Sequence, residues 1–104
     1  MCVEFPRMRR AHVERSLRDV HGRLVQQRQQ LAVLDEQLSV LNDAADDARI
    51  RSLVSETPLA AHDYTDAQRT ADAANRERAA LLASIGELER RQDELLGQLA
   101  VEPR

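Results

Sequence analysis

Apolar residues in the first half of the chain recur at alternating steps of four and three, which is the spacing of a heptad repeat. Gln27 is the one polar residue in this series of a and d positions, which we call the first seam. A pattern held for about five heptads predicts a long amphipathic helix, here over residues 9–54. The first seam consists of Val13, Leu17, Val20, Leu24, Gln27, Leu31, Leu34, Leu38, Leu41, Ala45 and Ala48.

A second series with the same spacing predicts another long helix over residues 63–100. Its polar members are Arg78 and Gln92. The intervening stretch 55–62 is predicted as a turn, with a basic N-terminal arm over 1–8 and a tail over 101–104. The second seam consists of Tyr64, Ala67, Ala71, Ala74, Arg78, Leu81, Ile85, Leu88, Gln92, Leu95 and Leu99. The pattern predicts a single all-α domain, a long antiparallel two-helix coiled-coil hairpin that can dimerise into a four-helix bundle.

Two registers can pair the seams, because antiparallel partners set a against d and facing residue numbers then add to a constant. A sum of 119 sets Gln27 against Gln92, whose amides can satisfy each other and penalise slipped alignments. A sum of 112 centres the turn on Glu56 and sets Gln27 against a leucine-sized apolar residue, Ile85. The first register is the one we favour, although Thr57-Pro58 has the form of a helix cap followed by a first helical residue.

Composition excludes several kinds of chemistry. All 15 cationic side chains are Arg, so Schiff-base catalysis and a P-loop lysine are ruled out. Cys2 is the single cysteine, which excludes an internal disulfide, and His12, His21 and His62 are too widely spaced to indicate a metal site. The chain has no Trp and no phosphate-binding or nucleophile motif. We therefore expect a non-enzymatic protein with no cofactor, metal or small-molecule substrate.

The same reading addresses location. No run approaches 18 apolar residues, and the basic start of the chain is not followed by an apolar segment. The sequence predicts neither a membrane span nor a signal peptide. Because it also has a lone cysteine, we expect a cytoplasmic protein.

Charge is distributed unevenly along the predicted hairpin. Residues 1–34 contain seven Arg against three acids, whereas residues 35–77 contain ten acids against four Arg. The net charge of the whole chain is -3. Carboxylates around the turn could serve only for solubility, or they could enter a basic cavity of a partner. This acidic tip consists of Asp43, Asp46, Asp47, Glu56, Asp63 and Asp66.

The segment "ETPLAAHDYTDAQR", Glu56 to Arg69, resembles the tip of the Gre family of transcript-cleavage factors. Asp63 and Tyr64 stand where that family has an acidic residue followed by Tyr. The resemblance implies a regulator whose acidic tip enters the secondary channel of RNA polymerase, where the family's carboxylates help to hold a metal ion. Neither the closely grouped tip acids nor the second, globular domain of that family has a counterpart in this sequence.

The basic N-terminal end offers a third function, Arg-mediated binding of nucleic acid. Its guanidinium groups could neutralise phosphates, but Glu14 and Asp19 interrupt them and there is no base-reading motif. Nucleic acid is therefore the weakest of the candidate partners. The basic end consists of Arg7, Arg9, Arg10, Arg15 and Arg18.

Apolar residues outside the seams supply the strongest indication of a partner. Three valines lie at b and c positions of the first helix, and two leucines lie at e positions of the second. A two-helix hairpin cannot bury all of them, so they predict contact with another protein or with a second copy of the chain. We name this set the outer stripe: Val25, Val33, Val40, Leu82 and Leu96. The sequence thus favours an adaptor, scaffold or regulatory subunit that acts through protein–protein interaction.

Overall fold

The computed structural model describes the backbone from Glu4 to Val101 and the side chains of residues 9–100. Within that range the chain forms two helices, α1 (Glu4–Ser55) and α2 (Pro58–Val101), and no strand. The predicted all-α helical hairpin is confirmed. Residues 1–3 of the predicted arm and 102–104 of the predicted tail lie outside the described residues.

Both helices extend beyond their predicted bounds. Helix α1 begins at Glu4 rather than at residue 9, so the described part of the predicted arm is helical. Helix α2 begins at Pro58 rather than at residue 63, which reduces the predicted eight-residue turn to Glu56 and Thr57. The turn prediction over 55–62 was therefore too long.

The chain divides into two compact units, and each unit contains a part of both helices. One unit is made of the chain up to Gln29 together with the chain from Ala83 onward. The other unit runs from Gln30 to Leu82 and contains the bend. Each unit buries its own section of the two seams.

The buried apolar side chains of the described residues all lie on the predicted seams. Leu24 and Ala71 have no exposed surface at all. In the unit with the bend, Leu34 and Leu38 of α1 form a cluster with Ala74 of α2. The full set is Val13, Val20, Leu24, Leu34, Leu38, Ala45, Ala48, Ala71, Ala74, Ile85 and Leu95. The heptad reading of the sequence therefore identified the core.

Arg78, a polar member of the second seam, pairs across the hairpin with Asp35. Its Nε donates to Asp35 Oδ1 at 2.6 Å. The two side chains stay 41% and 46% exposed, so the pair remains accessible to solvent. An ion pair this exposed contributes about 0.2–1 kcal/mol to folding, and it helps to align the helices more than it stabilises them.

The register that we favoured from the sequence is wrong in the unit with the bend. Leu38 packs with Ala74, and Asp35 pairs with Arg78, so facing residue numbers add to 112 and 113. A sum of 119 would displace one helix along the other by seven residues, or about 10 Å at 1.5 Å per residue. The seams are therefore paired in the alternative register.

Gln27 shows what this register costs. Its Oε1 is buried and has no hydrogen-bond partner among the described residues, so the expected amide contact with Gln92 does not form. In the alternative register of the sequence analysis, the residue that faces Gln27 is Ile85, which offers no hydrogen bond. A buried polar group without a partner lowers stability by about 1–3 kcal/mol.

We predict that Gln27→Leu raises the free energy of unfolding by about 1–3 kcal/mol, because it removes the unsatisfied oxygen and adds apolar contact. Gln29→Leu is the matched control, since Gln29 is an exposed residue of the same helix outside both the seam and the outer stripe. We expect the control to change stability by less than about 0.5 kcal/mol. Urea denaturation followed by circular dichroism measures both, and equal effects would contradict the assignment.

The register is tested by cross-linking in a Cys2→Ser background. The variant Leu38→Cys/Ala74→Cys joins two residues of one cluster, so mild oxidation should close an intramolecular disulfide. The variant Ala45→Cys/Ala74→Cys belongs to the rejected register, since its residue numbers add to 119, and it should stay reduced as a monomer. Mass spectrometry of the dilute protein measures disulfide formation in both variants. A disulfide in the second variant and none in the first would show that the helices pair with a sum of 119.

Candidate protein-interaction surface at the bend

Helix α1 ends in a residue with left-handed backbone geometry. Glu56 has a φ of 49°, and its amide donates to the carbonyl oxygen of Ser52 at 3.2 Å. This is the αL type of helix end, which most often uses Gly because a side chain there is sterically crowded. The left-handed conformation costs a residue with a Cβ about 1–2 kcal/mol.

Helix α2 begins on a complete set of local signals. Thr57 Oγ1 accepts a hydrogen bond from the amide of Ala60 at 3.1 Å, and the Thr57 carbonyl accepts one from Ala61 at 3.1 Å. Pro58 occupies the first helical position, where its fixed φ fits and its missing N–H is not needed. These bonds start α2 directly after Glu56 and explain the short turn.

Four large apolar side chains around this bend are exposed, and we call them the bend patch: Ile50, Leu53, Val54 and Leu59. Val54 is 80% exposed and Leu59 is 70% exposed. Continuing the first seam through α1 puts Ser52 and Ser55 at the inward a and d positions. The a and d positions of the last two α1 turns thus carry serines, of which Ser52 is half-buried and Ser55 is exposed, while the aliphatic residues face outward.

Sequence reasoning missed the bend patch because it stopped at the end of the leucine and alanine seam. A signal was present. Ile50, Leu53 and Val54 are spaced i, i+3, i+4, which places them on one side of a helix. That side differs from the side of the seam, so the spacing marks a second apolar face.

A shallow groove lies beside the bend patch, between the end of α1 and the start of α2. Its volume is about 130 Å³. Leu59 belongs to both the groove and the patch, while Arg51 and Asp63 give the groove one cation and one anion. The other lining residues are Ala48, Ser55, Thr57 and Ala60. The bend therefore offers a depression of mixed polarity next to exposed aliphatic residues.

The acidic tip predicted from the sequence surrounds these features. All six of its carboxylates are exposed: Asp43, Asp46, Asp47, Glu56, Asp63 and Asp66. Asp66 Oδ2 lies 3.1 Å from His62 Nε2, one helical turn earlier. Within residues 9–100, no three His, Cys, Asp or Glu side chains are grouped closely enough to hold a metal ion. The carboxylates are dispersed around the bend rather than gathered at one point.

The outer stripe is exposed along both helices. Val33 and Val40 are 55% and 68% exposed on α1. Val54 of the bend patch shares their c position two heptads further on, with Asp47 between them. The other members, Val25, Leu82 and Leu96, are also exposed. Their role in binding a partner stays a prediction.

The basic end is solvent-exposed where its side chains are described. Arg9, Arg10, Arg15 and Arg18 are all exposed on α1, and the side chain of Arg7 lies outside the described residues. Arg10 Nε donates to Glu14 Oε1 at 3.2 Å, so part of this positive charge is compensated locally. Binding of nucleic acid by this end stays a prediction.

Comparison of the chain with protein families, with curated proteins and with solved structures gave no match. In the part of the chain that the structure describes, neither helix has a segment long and apolar enough to cross a membrane.

We predict that Glu56→Gly raises the free energy of unfolding by about 0.5–1 kcal/mol, because Gly adopts the left-handed conformation without crowding. Part of the gain is offset by the greater freedom of Gly in the unfolded chain. Glu56→Ala removes the same charge but keeps a Cβ, so it should give no such gain. Thermal unfolding of the two variants separates backbone geometry from charge, and equal stabilities would refute the backbone explanation.

Proposed function

We propose that this chain is a non-enzymatic helical-hairpin protein that acts through protein–protein association, and that its first partner is a second copy of itself. The observation that carries the proposal is the exposure of Val33 and Val40 on α1. They lie seven residues apart, so they occupy the same heptad position and face the same side of the helix. This is the spacing by which one helix packs against another.

Apolar exposure on α1 supports self-association. Val33 and Val40 keep 55% and 68% of their surface exposed, and a second hairpin laid along these valines would cover them.

The packing rules of helical proteins indicate the form of such an assembly. Two hairpins that share an apolar stripe make a four-helix bundle, in which each helix gains a second buried side. A twofold dimer brings the same residues of both copies together, so each copy would contribute its Val33 and Val40 to the interface. Each valine that becomes fully buried contributes roughly 1.5–3 kcal/mol.

The acidic tip supports a second candidate function, a regulator whose bend enters a positively charged cavity of a large enzyme. This is the function that the resemblance to the Gre family implies, with RNA polymerase as the enzyme. The exposure of all six tip carboxylates favours it, because they are available to a basic partner. Under this candidate, Asp63→Asn and Asp66→Asn should abolish the regulatory effect and leave the oligomer intact.

We predict that Val33→Asp/Val40→Asp abolishes self-association, because two carboxylates would be forced into a contact meant for apolar side chains. Multi-angle light scattering across micromolar concentrations should give a dimer or tetramer for the natural sequence. The variant should give the monomer mass of 11.8 kDa.

Gln29→Asp is the control, since it adds negative charge at an exposed α1 position outside the stripe. It should keep the oligomer of the natural sequence. A natural chain that is monomeric at every concentration would overturn self-association, and an unchanged oligomer in the double valine variant would overturn the choice of surface.

A further inference from the structure

The bend patch is not accounted for by folding of the hairpin. Ser52 is half-buried at the last a position of α1, while Ser55, Leu53 and Val54 are all exposed. Ser52 Oγ donates back to the carbonyl oxygen of Arg49 at 2.7 Å, one turn earlier on its own helix. A leucine in place of the half-buried Ser52, with a polar residue in place of Leu53, would bury more apolar surface, so this arrangement favours an external contact over folding.

The charge around the bend restricts what that contact can be. Residues 43–66 contain six carboxylates and only two cations, Arg49 and Arg51. A second bend would bring two negative surfaces together, and anionic lipid or nucleic acid would be repelled in the same way. A partner that is both apolar and positively charged satisfies the patch and its surroundings together.

We propose that the bend patch binds a positively charged amphipathic helix of a partner protein, which extends the proposed association function to a second surface and a second kind of partner. Leu53 and Val54 lie on the outer side of a helix, where their ridge can pack against another helix. The open groove beside Leu59, about 130 Å³, adjoins this ridge, and an apolar side chain of the partner that entered it would contact Leu59 and Ala60.

Two carboxylates are placed to recognise the basic side of such a helix. Asp63 lines the groove on the α2 side, and Arg51 lines it on the α1 side. Asp47 lies one α1 turn before Arg51. Lys or Arg side chains that flank the partner's apolar residue would meet these acids at the rim of the contact. Rim charges of this kind act mainly on the association rate and on the salt dependence of binding.

A pair of synthetic helical peptides tests the proposal directly. Both peptides carry the same Leu positions, and their polar sides carry Lys and Arg in one peptide and Glu in the other. We expect the basic peptide to bind the full chain about tenfold or more tightly than the acidic one, and to weaken as salt is raised. Amide NMR shifts caused by the basic peptide should centre on residues 46–66.

Two matched variants locate the contact. Leu53→Ser/Val54→Ser should weaken binding of the basic peptide by about tenfold, which corresponds to about 1.4 kcal/mol. Ala79→Ser/Ala80→Ser introduces the same two serines at exposed positions of α2 outside both proposed surfaces and should leave peptide binding unchanged. Circular dichroism before titration confirms that both variants remain helical. Asp47→Asn/Asp63→Asn should weaken binding of the basic peptide and make that binding less dependent on salt.

Equal binding of both peptides, or shifts centred outside the bend, would overturn the proposal. Preferential binding of anionic vesicles that is lost in Leu53→Ser/Val54→Ser would overturn it in favour of a membrane. Self-association lost in the same variant would overturn it in favour of a second copy. The proposed dimer is decided separately by the Val33→Asp/Val40→Asp measurement, so either proposal can fail while the other stands.

Discussion

The hydrogen bonds at the two-residue bend determine where α2 begins, and the pairing of the helices follows from that point. Glu56 closes the last turn of α1 through its bond to Ser52, and Thr57 caps α2 through its bonds to Ala60 and Ala61. Only two residues connect the helices, and this connection is too short to let one helix slide along the other by a heptad. The cap therefore sets the register in the unit that contains the bend.

That register explains features that look unrelated in the sequence. It brings Arg78 beside Asp35, so a charged residue can occupy a seam position without isolating its charge. The two-residue connection agrees with this register, because a slide of seven residues would need a longer turn. In the other unit, the buried Gln27 oxygen has no hydrogen-bond partner among the described residues, at a cost of about 1–3 kcal/mol.

The sequence predicted the helices and the core well because both depend on periodicity alone. Every buried apolar residue of the described chain lies on a seam that can be read from the order of residues. The register could not be read in this way, since both alternatives keep the same a and d positions. Two signals in the sequence favoured different registers: the cap at Thr57-Pro58 favoured the sum of 112, and the two glutamines favoured the sum of 119. The cap contributes about 1 kcal/mol and determines directly where α2 starts. The pairing of Arg78 with Asp35 needed the register first.

The bend patch was missed for a different physical reason. A seam search looks for apolar residues that face the partner helix, and Ile50, Leu53 and Val54 face away from it. A search for polar residues at seam positions would have found Ser52 and Ser55, which mark the end of the apolar seam. Reversal of the amphipathic pattern near a helix end is visible in sequence once both sides of the helix are followed.

The acids around the bend patch give this exposed surface a selectivity that apolar residues alone lack. Aliphatic side chains as exposed as Val54 and Leu59 would otherwise associate with any apolar surface, including another bend. Carboxylates at the rim repel like surfaces and leave favourable contact only with partners that bring positive charge. In the proposed contact, the carboxylates that hydrate the bend would also select its partner, so solvation and recognition would be two effects of one charge pattern.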